Sequence, residues 1–300
     1  MRSRLLAITV VTALTGAALA GCAPATDSSE GESGLIRVVA STNVYGDIAT
    51  TIGGDLVQVT SILEDPSQDP HSFEANAQVQ LELSKADVVI ENGGGYDDWA
   101  QTLLDGANNP DAVVLNATDI SGYDQSGEFN EHVFYDFPTI RKLADQLAAN
   151  FGTLDPSGKD NFLANAAAFD DALAALEERE ATIKADHGGT GVAITEPVPG
   201  YLLDASGLTD VTPSDFSEAI EEGTDVSPAV LADTLALFAD GTAKLLVYNA
   251  QTSGPETDKV LAEAKKQGVP AVPVTETLPA GDDYVSWMSA NLDAIEKALQ

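Results

Sequence analysis

The 300-residue chain carries 48 Asp and Glu against 14 Lys and Arg, a formal net charge of -34, with 3 His and a single Cys. An acidic excess of this size excludes nucleic-acid binding, because neutralising phosphates takes Lys and Arg, and one Cys excludes an internal disulfide. The acid is spread along the whole chain and reads as a solvated surface, with enrichment of cations near the protein as the alternative.

The first predicted element is a secretory signal. Arg2 and Arg4 precede an apolar run from Leu5 to Ala20, and Leu19-Ala20-Gly21 precede Cys22. A basic start, a short apolar core and small residues at the cut mark such a signal. The run is shorter than the ~20 residues that a retained membrane helix needs. Leu-Ala-Gly-Cys resembles a bacterial lipobox, which makes 1–21 a lipoprotein signal peptide and Cys22 the lipidated residue. A diacylated Cys supplies two chains, enough for stable anchoring outside the cytoplasm. Ala23–Gly34 (APATDSSEGESG) is small, polar and acidic, so 22–34 reads as a flexible tether.

Beyond the tether, apolar β-branched runs alternate with helical patterns. The predicted strands are Ile36–Ala40, Val57–Leu63, Asp87–Glu91 and Ala112–Asn116, then Gly191–Thr195, Lys244–Tyr248, Ala271–Thr275 and a weaker Thr209–Val211. Helical patterns include Asn76–Ala86, Trp99–Ala107, Ser227–Asp240 and Glu256–Gln267. Continuously apolar strands separated by helices indicate parallel sheets covered on both faces. The middle breaks this rhythm. Phe137–Phe151 reads as one helix, and Lys159–Lys184 lacks Gly and Pro, with apolar residues recurring at Phe162, Ala166, Phe169, Leu173, Leu176 and Ile183. A helix of about 28 residues spans ~42 Å, too long for a crossover within one small sheet and suited to a rod between two lobes. The expected fold is therefore α/β: an N-terminal lobe over 35–154, a linking helix over 155–188, and a C-terminal lobe over 189–300. No internal repeat is visible.

His71 lies past the second predicted strand, His132 before the Phe137 helix, and His187 at the end of the long helix, where a cation suits the helix dipole. In open α/β sheets, ligands bind outside the carboxyl ends of the strands. Glu196 follows Gly191–Thr195 directly, Glu276 follows Ala271–Thr275, and Tyr248-Asn249 close another strand. Two imidazoles and two carboxylates suit borderline cations such as Zn²⁺, Mn²⁺ or Fe²⁺. The alternative for each Glu is a helix N-terminal charge. Asp136, Tyr248 and Asn249 are candidates for orienting ligands, or for simple turn and capping work. Gly93-Gly94-Gly95 reads as a tight turn, and Trp99, Trp287 and Phe134 as core or cleft wall.

Four segments carry a family resemblance. Asp69-Pro70-His71-Ser72-Phe73-Glu74 resembles the D-P-H-S-[YF]-E signature of the zinc/manganese solute-binding proteins of bacterial ABC importers (solute-binding protein family 9). Asn130-Glu131-His132-Val133-Phe134 with Asp136 resembles that family's N-P-H-V-W-x-D. Val89–Trp99 resembles its N-G-x-G-x-x-x-W segment, and Tyr284–Leu292 its closing helix. The likeness runs in order from about Ile36 to Leu299. It implies a two-lobe fold with the metal between the lobes, ligands His71, His132, Glu196 and Glu276, and an ABC permease and ATPase as partners. It implies Mn or Zn as the transported ion. Two departures are Glu131 in place of Pro and a short, His-free loop Asp119–Glu131. A Glu in the third ligand place is associated with manganese in such families, although Zn²⁺ binds such a set more tightly in vitro. The expected protein is a monomeric lipoprotein, not an enzyme. The alternatives are a metal-dependent hydrolase using the same residues, disfavoured by the lack of His-Glu-x-x-His, and an organic-solute-binding or adhesin lipoprotein, disfavoured by scarce Arg.

Overall fold

In the computed structural model, which describes residues 34–300 apart from Ser67, Asp69, Ser72, Ala75 and Glu128, the apolar runs become parallel strands. The signal segment and Cys22 lie outside the described residues. β1 (Ile36–Thr42), β2 (Val57–Leu63), β3 (Val88–Glu91) and β4 (Val113–Asn116) form one sheet in the order β2-β1-β3-β4. β5 (Gly191–Ile194), β6 (Thr209–Asp210), β7 (Leu245–Asn249) and β8 (Ala271–Val274) form a second in the order β6-β5-β7-β8. Every pairing in both sheets is parallel. The two orders are the same, so the lobes repeat one topology that the sequence does not show. In each lobe the order reverses beside the first strand, which opens a crevice at the carboxyl ends.

The first sheet is crossed by α1 (Asn43–Gly53), α2 (Ala77–Leu83), α3 (Asp98–Ala107), α4 (Ala117–Ser121) and α5 (Phe137–Leu154). After α6 (Lys159–His187) come α7 (Gly200–Ala205), α8 (Ser214–Glu221), α9 (Pro228–Ala239), α10 (Pro255–Gln267) and α11 (Tyr284–Leu299). Alternation along the strands explains why the runs are apolar throughout. Val38, Ala40, Val88 and Ile90 face a core shared with α1, α5 and α6, while Val39 and Val89 face α2 and α3 through Val79, Leu83 and Leu104. In the second lobe Val192, Ile194, Leu245 and Val247 join the same shared core, and Ala193 and Leu246 pack outward on Phe216, Phe238 and Val260. One apolar core therefore runs continuously from lobe to lobe. α6 is its spine: Phe162, Ala166, Phe169, Leu173, Leu176 and Ile183 are all buried.

Glu180 is the one acid on that buried stripe. Burial, then the neighbouring charges of Glu177 and Asp136, push its carboxyl up to about 8. A carboxyl raised in the folded state stabilises below its unfolded value, near 4.5, and that contribution is lost as pH rises through about 8. Glu180→Gln, which stays neutral, is expected to match the wild type in Tm near pH 5 and to exceed it above about pH 8. Parallel melting curves across that range check it.

Candidate metal centre

The candidate ligands sit on loops that the strands aim into one cleft. His71 lies beyond β2, on a loop fixed by Trp99: the indole Nε1 donates to the Pro70 carbonyl at 3.2 Å, and its ring meets Phe73 edge-on at 4.8 Å. The Trp read as cleft wall thus anchors the His71 loop. The turn after β3 has glycines in the left-handed region at Gly93 (φ 77°) and Gly94 (φ 67°). Asp97 clamps it, accepting from Asn92 N at 2.7 Å and Gly93 N at 2.8 Å. Tyr96 follows, and its buried ring packs edge-on against both His71 and His132. Burial, then the nearby Glu276 carboxylate, holds the Tyr96 hydroxyl well above the ordinary phenol value.

His132 is fully buried at the start of a single 3₁₀ turn, Val133–Tyr135. Asn130 orients it. The Asn130 Nδ2 donates across the cleft to the Pro197 carbonyl at 3.0 Å, which turns Oδ1 toward His132. That oxygen accepts from His132 N at 3.0 Å and from His132 Nδ1 at 2.9 Å. An Nδ1 that donates leaves Nε2 as the free lone pair of the neutral ring, facing the cleft.

Around Nε2 stand carboxylates. Glu221 Oε1 lies 3.5 Å away and Glu276 Oε2 3.7 Å away, both buried without a hydrogen-bond partner, as is Nε2 itself. Such separations are long for hydrogen bonds. They suit neighbouring donors on one ion: two atoms each about 2.1 Å from a metal lie about 3 to 4 Å apart. His71, His132 and Glu276 each place a donor atom within 4.8 Å of the other two, and so do His71, Glu131 and Glu221. Glu196 is outside both groups. It is buried beyond β5 on the wall of the same cleft, with Oε2 unpartnered and aimed inward.

The charges interlock. Burial opposes a proton on His132, but Glu276, Glu221 and Glu131 outweigh it and push the imidazole up to about 9. Burial raises Glu196 to about 7, helped by Glu276. Glu221 rises to about 8, again through burial, which the His132 charge only partly offsets. Glu276 moves the other way: burial opposes its charge, but His132 and His71 hold it below the usual carboxylate value.

Asn249 closes β7 beside these groups, its Nδ2 donating to Glu276 Oε1 at 2.7 Å and its backbone N to Thr195 Oγ1 at 3.0 Å. The two other orienting candidates sit elsewhere. Tyr248, one residue earlier on the strand, faces the opposite way and packs in the outer core of the second lobe. Asp136 caps α5, accepting from Thr139 N at 3.0 Å and from the Tyr123 hydroxyl at 3.1 Å. Glu221, Asn130 and Tyr96 were not singled out from sequence as members of the site. Glu221 ends a short acidic helix, Ser214–Glu221, that leaves no local signal in the sequence.

The cleft has a volume of about 1020 Å³, and its described lining includes six glutamates and one His but neither Lys nor Arg. Acidic walls of this kind favour a cation.

Comparison with known proteins agrees. The family described as "Zinc-uptake complex component A periplasmic" (ZnuA) matches residues 38–298. The manganese-binding lipoprotein MntA of Halalkalibacterium halodurans is 28% identical over 232 residues, covering 72% of this chain and 76% of that protein. The manganese ABC transporter substrate-binding lipoprotein PsaA of Streptococcus pneumoniae is 29% identical over 304 residues, 94% of each. A crystal structure of ZnuA superposes with a TM-score of 0.73 at 20% identity, over 89% of this chain and 100% of the other. The last likeness speaks for the fold: two parallel sheets, each covered by helices, joined by a long one.

Proposed function

The chain belongs to the ZnuA family of periplasmic zinc-uptake components, and on that premise we propose that it captures one Mn²⁺ or Zn²⁺ ion between its lobes and passes it to an ABC importer. It is a binding protein and not an enzyme. The observation that carries the reading is the convergence of buried donor atoms lacking hydrogen-bond partners, His132 Nε2, Glu276 Oε2 and Glu196 Oε2, from both lobes. Buried polar atoms without partners are costly, and a shared dication satisfies them together. His71 completes the set of two nitrogens and two carboxylates. A cleft wall without Lys or Arg offers no counter-charge to an organic acid.

Lipid on Cys22, a monomeric state, and a permease and ATPase as partners belong to the same proposal. The curated relative PsaA is by name the substrate-binding lipoprotein of such an importer, and no helix among the described residues is long and apolar enough to cross a membrane. Manganese is the proposed cargo. Glu196 in the third ligand place and the His-free loop Asp119–Glu131 favour it, although the Irving–Williams order gives Zn²⁺ the tighter binding in vitro. One ion per chain, measured on protein taken from its native host under competing Zn and Mn, is the expected result. A chain that binds neither ion in calorimetry would end the proposal.

The bonds between lobes support a route for release of the ion. Asn130 joins the Pro197 carbonyl. Gln251 donates to the Pro66 carbonyl at 2.7 Å while its Oε1 accepts from Thr277 N at 3.1 Å. Asn43 and Leu278 exchange two bonds, each 2.9 Å. The first two links flank His132, Glu196, His71 and Glu276 in the chain. Prising them apart on the permease withdraws ligands from opposite sides at once.

Capture displaces protons. In the metal-free protein Glu196, Glu221 and His132 hold theirs up to about 7, 8 and 9, and a bound dication requires the ligands free of them. Apparent affinity is therefore expected to rise as pH passes from about 7 toward about 9. The heat of binding at pH 7 should vary with the ionisation enthalpy of the buffer. A heat independent of buffer would contradict the arrangement.

A further inference from the structure

We propose that Glu221, the last residue of α8, is a fifth ligand to the transported ion, so that the site is built from two imidazoles and three carboxylates. The inference rests on the metal-binding reading above and deepens it. Three observations support it. Glu221 Oε1 is 3.5 Å from His132 Nε2, closer than Glu276 Oε2 at 3.7 Å. The same oxygen is buried and has no hydrogen-bond partner, while its target His132 is 1% exposed with Nε2 equally unpartnered. Glu221 also reaches the other imidazole, placing a carboxylate oxygen within 4.8 Å of donor atoms of His71 and Glu131. It therefore lies within reach of donor atoms of both His residues.

Its attachment fits that role. α8 packs Phe216 into the outer core of the second lobe, so the helix is a fixed strut. The carboxylate at its end is borne against the helix dipole, a position that positive charge in the cleft favours. A fifth donor, and a third carboxylate, raises the coordination number and the oxygen content. Both shift a site from Zn²⁺, which prefers four ligands, toward the harder Mn²⁺.

The test compares full-length wild-type protein with Glu221→Gln and Asp225→Asn, titrated with Mn²⁺ and with Zn²⁺. Asp225 is exposed, lies four residues further along and is absent from the cleft lining, so its variant removes the same charge away from the site. Glu221→Gln is expected to lose about tenfold or more in Mn²⁺ affinity, the scale of losing one group that supports a metal, and less in Zn²⁺ affinity. Asp225→Asn is expected to stay near wild type. Equal affinities in Glu221→Gln and wild type would overturn the assignment of Glu221 and leave metal capture standing. A wild type that binds neither ion would instead overturn the reading beneath it. Cobalt-loaded wild-type protein gives a check that needs no variant. Weak visible bands of a five- or six-coordinate ion are expected, and intense four-coordinate bands would refute the fifth ligand.

Discussion

His132→Ala is expected to abolish tight metal binding. The imidazole is fully buried, its tautomer is set by Asn130, and its Nε2 faces both Glu276 and Glu221. Loss of a group that merely orients a ligand costs about 10- to 100-fold in affinity, so loss of a ligand that anchors the whole arrangement should exceed about a hundredfold for Mn²⁺ and Zn²⁺. Melting reports the same loss. Ligand at a thousand times its Kd stabilises by about 4 kcal/mol, which for a domain of this size moves Tm by on the order of ten degrees. That metal-induced shift should vanish in His132→Ala. An undiminished shift would mean that the ion binds elsewhere. The metal-free Tm separates this outcome from misfolding.

Glu276→Gln should come next in size. The substitution keeps the shape and leaves an oxygen for Asn249, whose amide donates to Oε1 at 2.7 Å, but it removes a buried negative charge. Glu276 is also the carboxylate that His132 and His71 favour in its charged form, so it brings a negative charge to the site. Its neutral amide leaves a buried dication short of one counter-charge, and burying a charge without compensation is costly. A loss of about a hundredfold or more, judged against the scale for supporting groups, is expected in calorimetry for either metal. His132 should titrate lower in the same variant, since Glu276 heads the causes that raise it. An NMR titration of the His132 ring showing no downward move would contradict this electrostatic account.

The sheets were legible because their strands are buried on both faces. Val38, Val39 and Ala40 are apolar in succession because α1, α5 and α6 cover one side and α2 and α3 the other. α6 was legible for its length and period, and each of its six apolar residues at helical spacing is buried. α8 was not. Ser214–Glu221 is eight residues, acidic and preceded by Pro213, and its core contact is essentially Phe216. A short polar segment of that kind reads as surface loop. The site divides along the same line. Glu196 and Glu276 follow their strands closely, His71 and His132 lie on longer loops of the first lobe, and family likeness named all four. Glu221 arrives on a helix end, through packing that has no local signature. Tyr248 was misplaced by one step of strand alternation: Asn249 faces the cleft, so its neighbour faces away. The shared topology of the lobes was hidden because strand order is set by packing and leaves no trace as repeated residues.

Anomalous diffraction from crystals of the Mn²⁺-loaded protein tests the central claim most directly. One peak is expected in the cleft, about 2.1 Å from nitrogens of His71 and His132 and oxygens of Glu196 and Glu276. A peak on the acidic outer surface, or one that His132 and Glu276 do not touch, would contradict it.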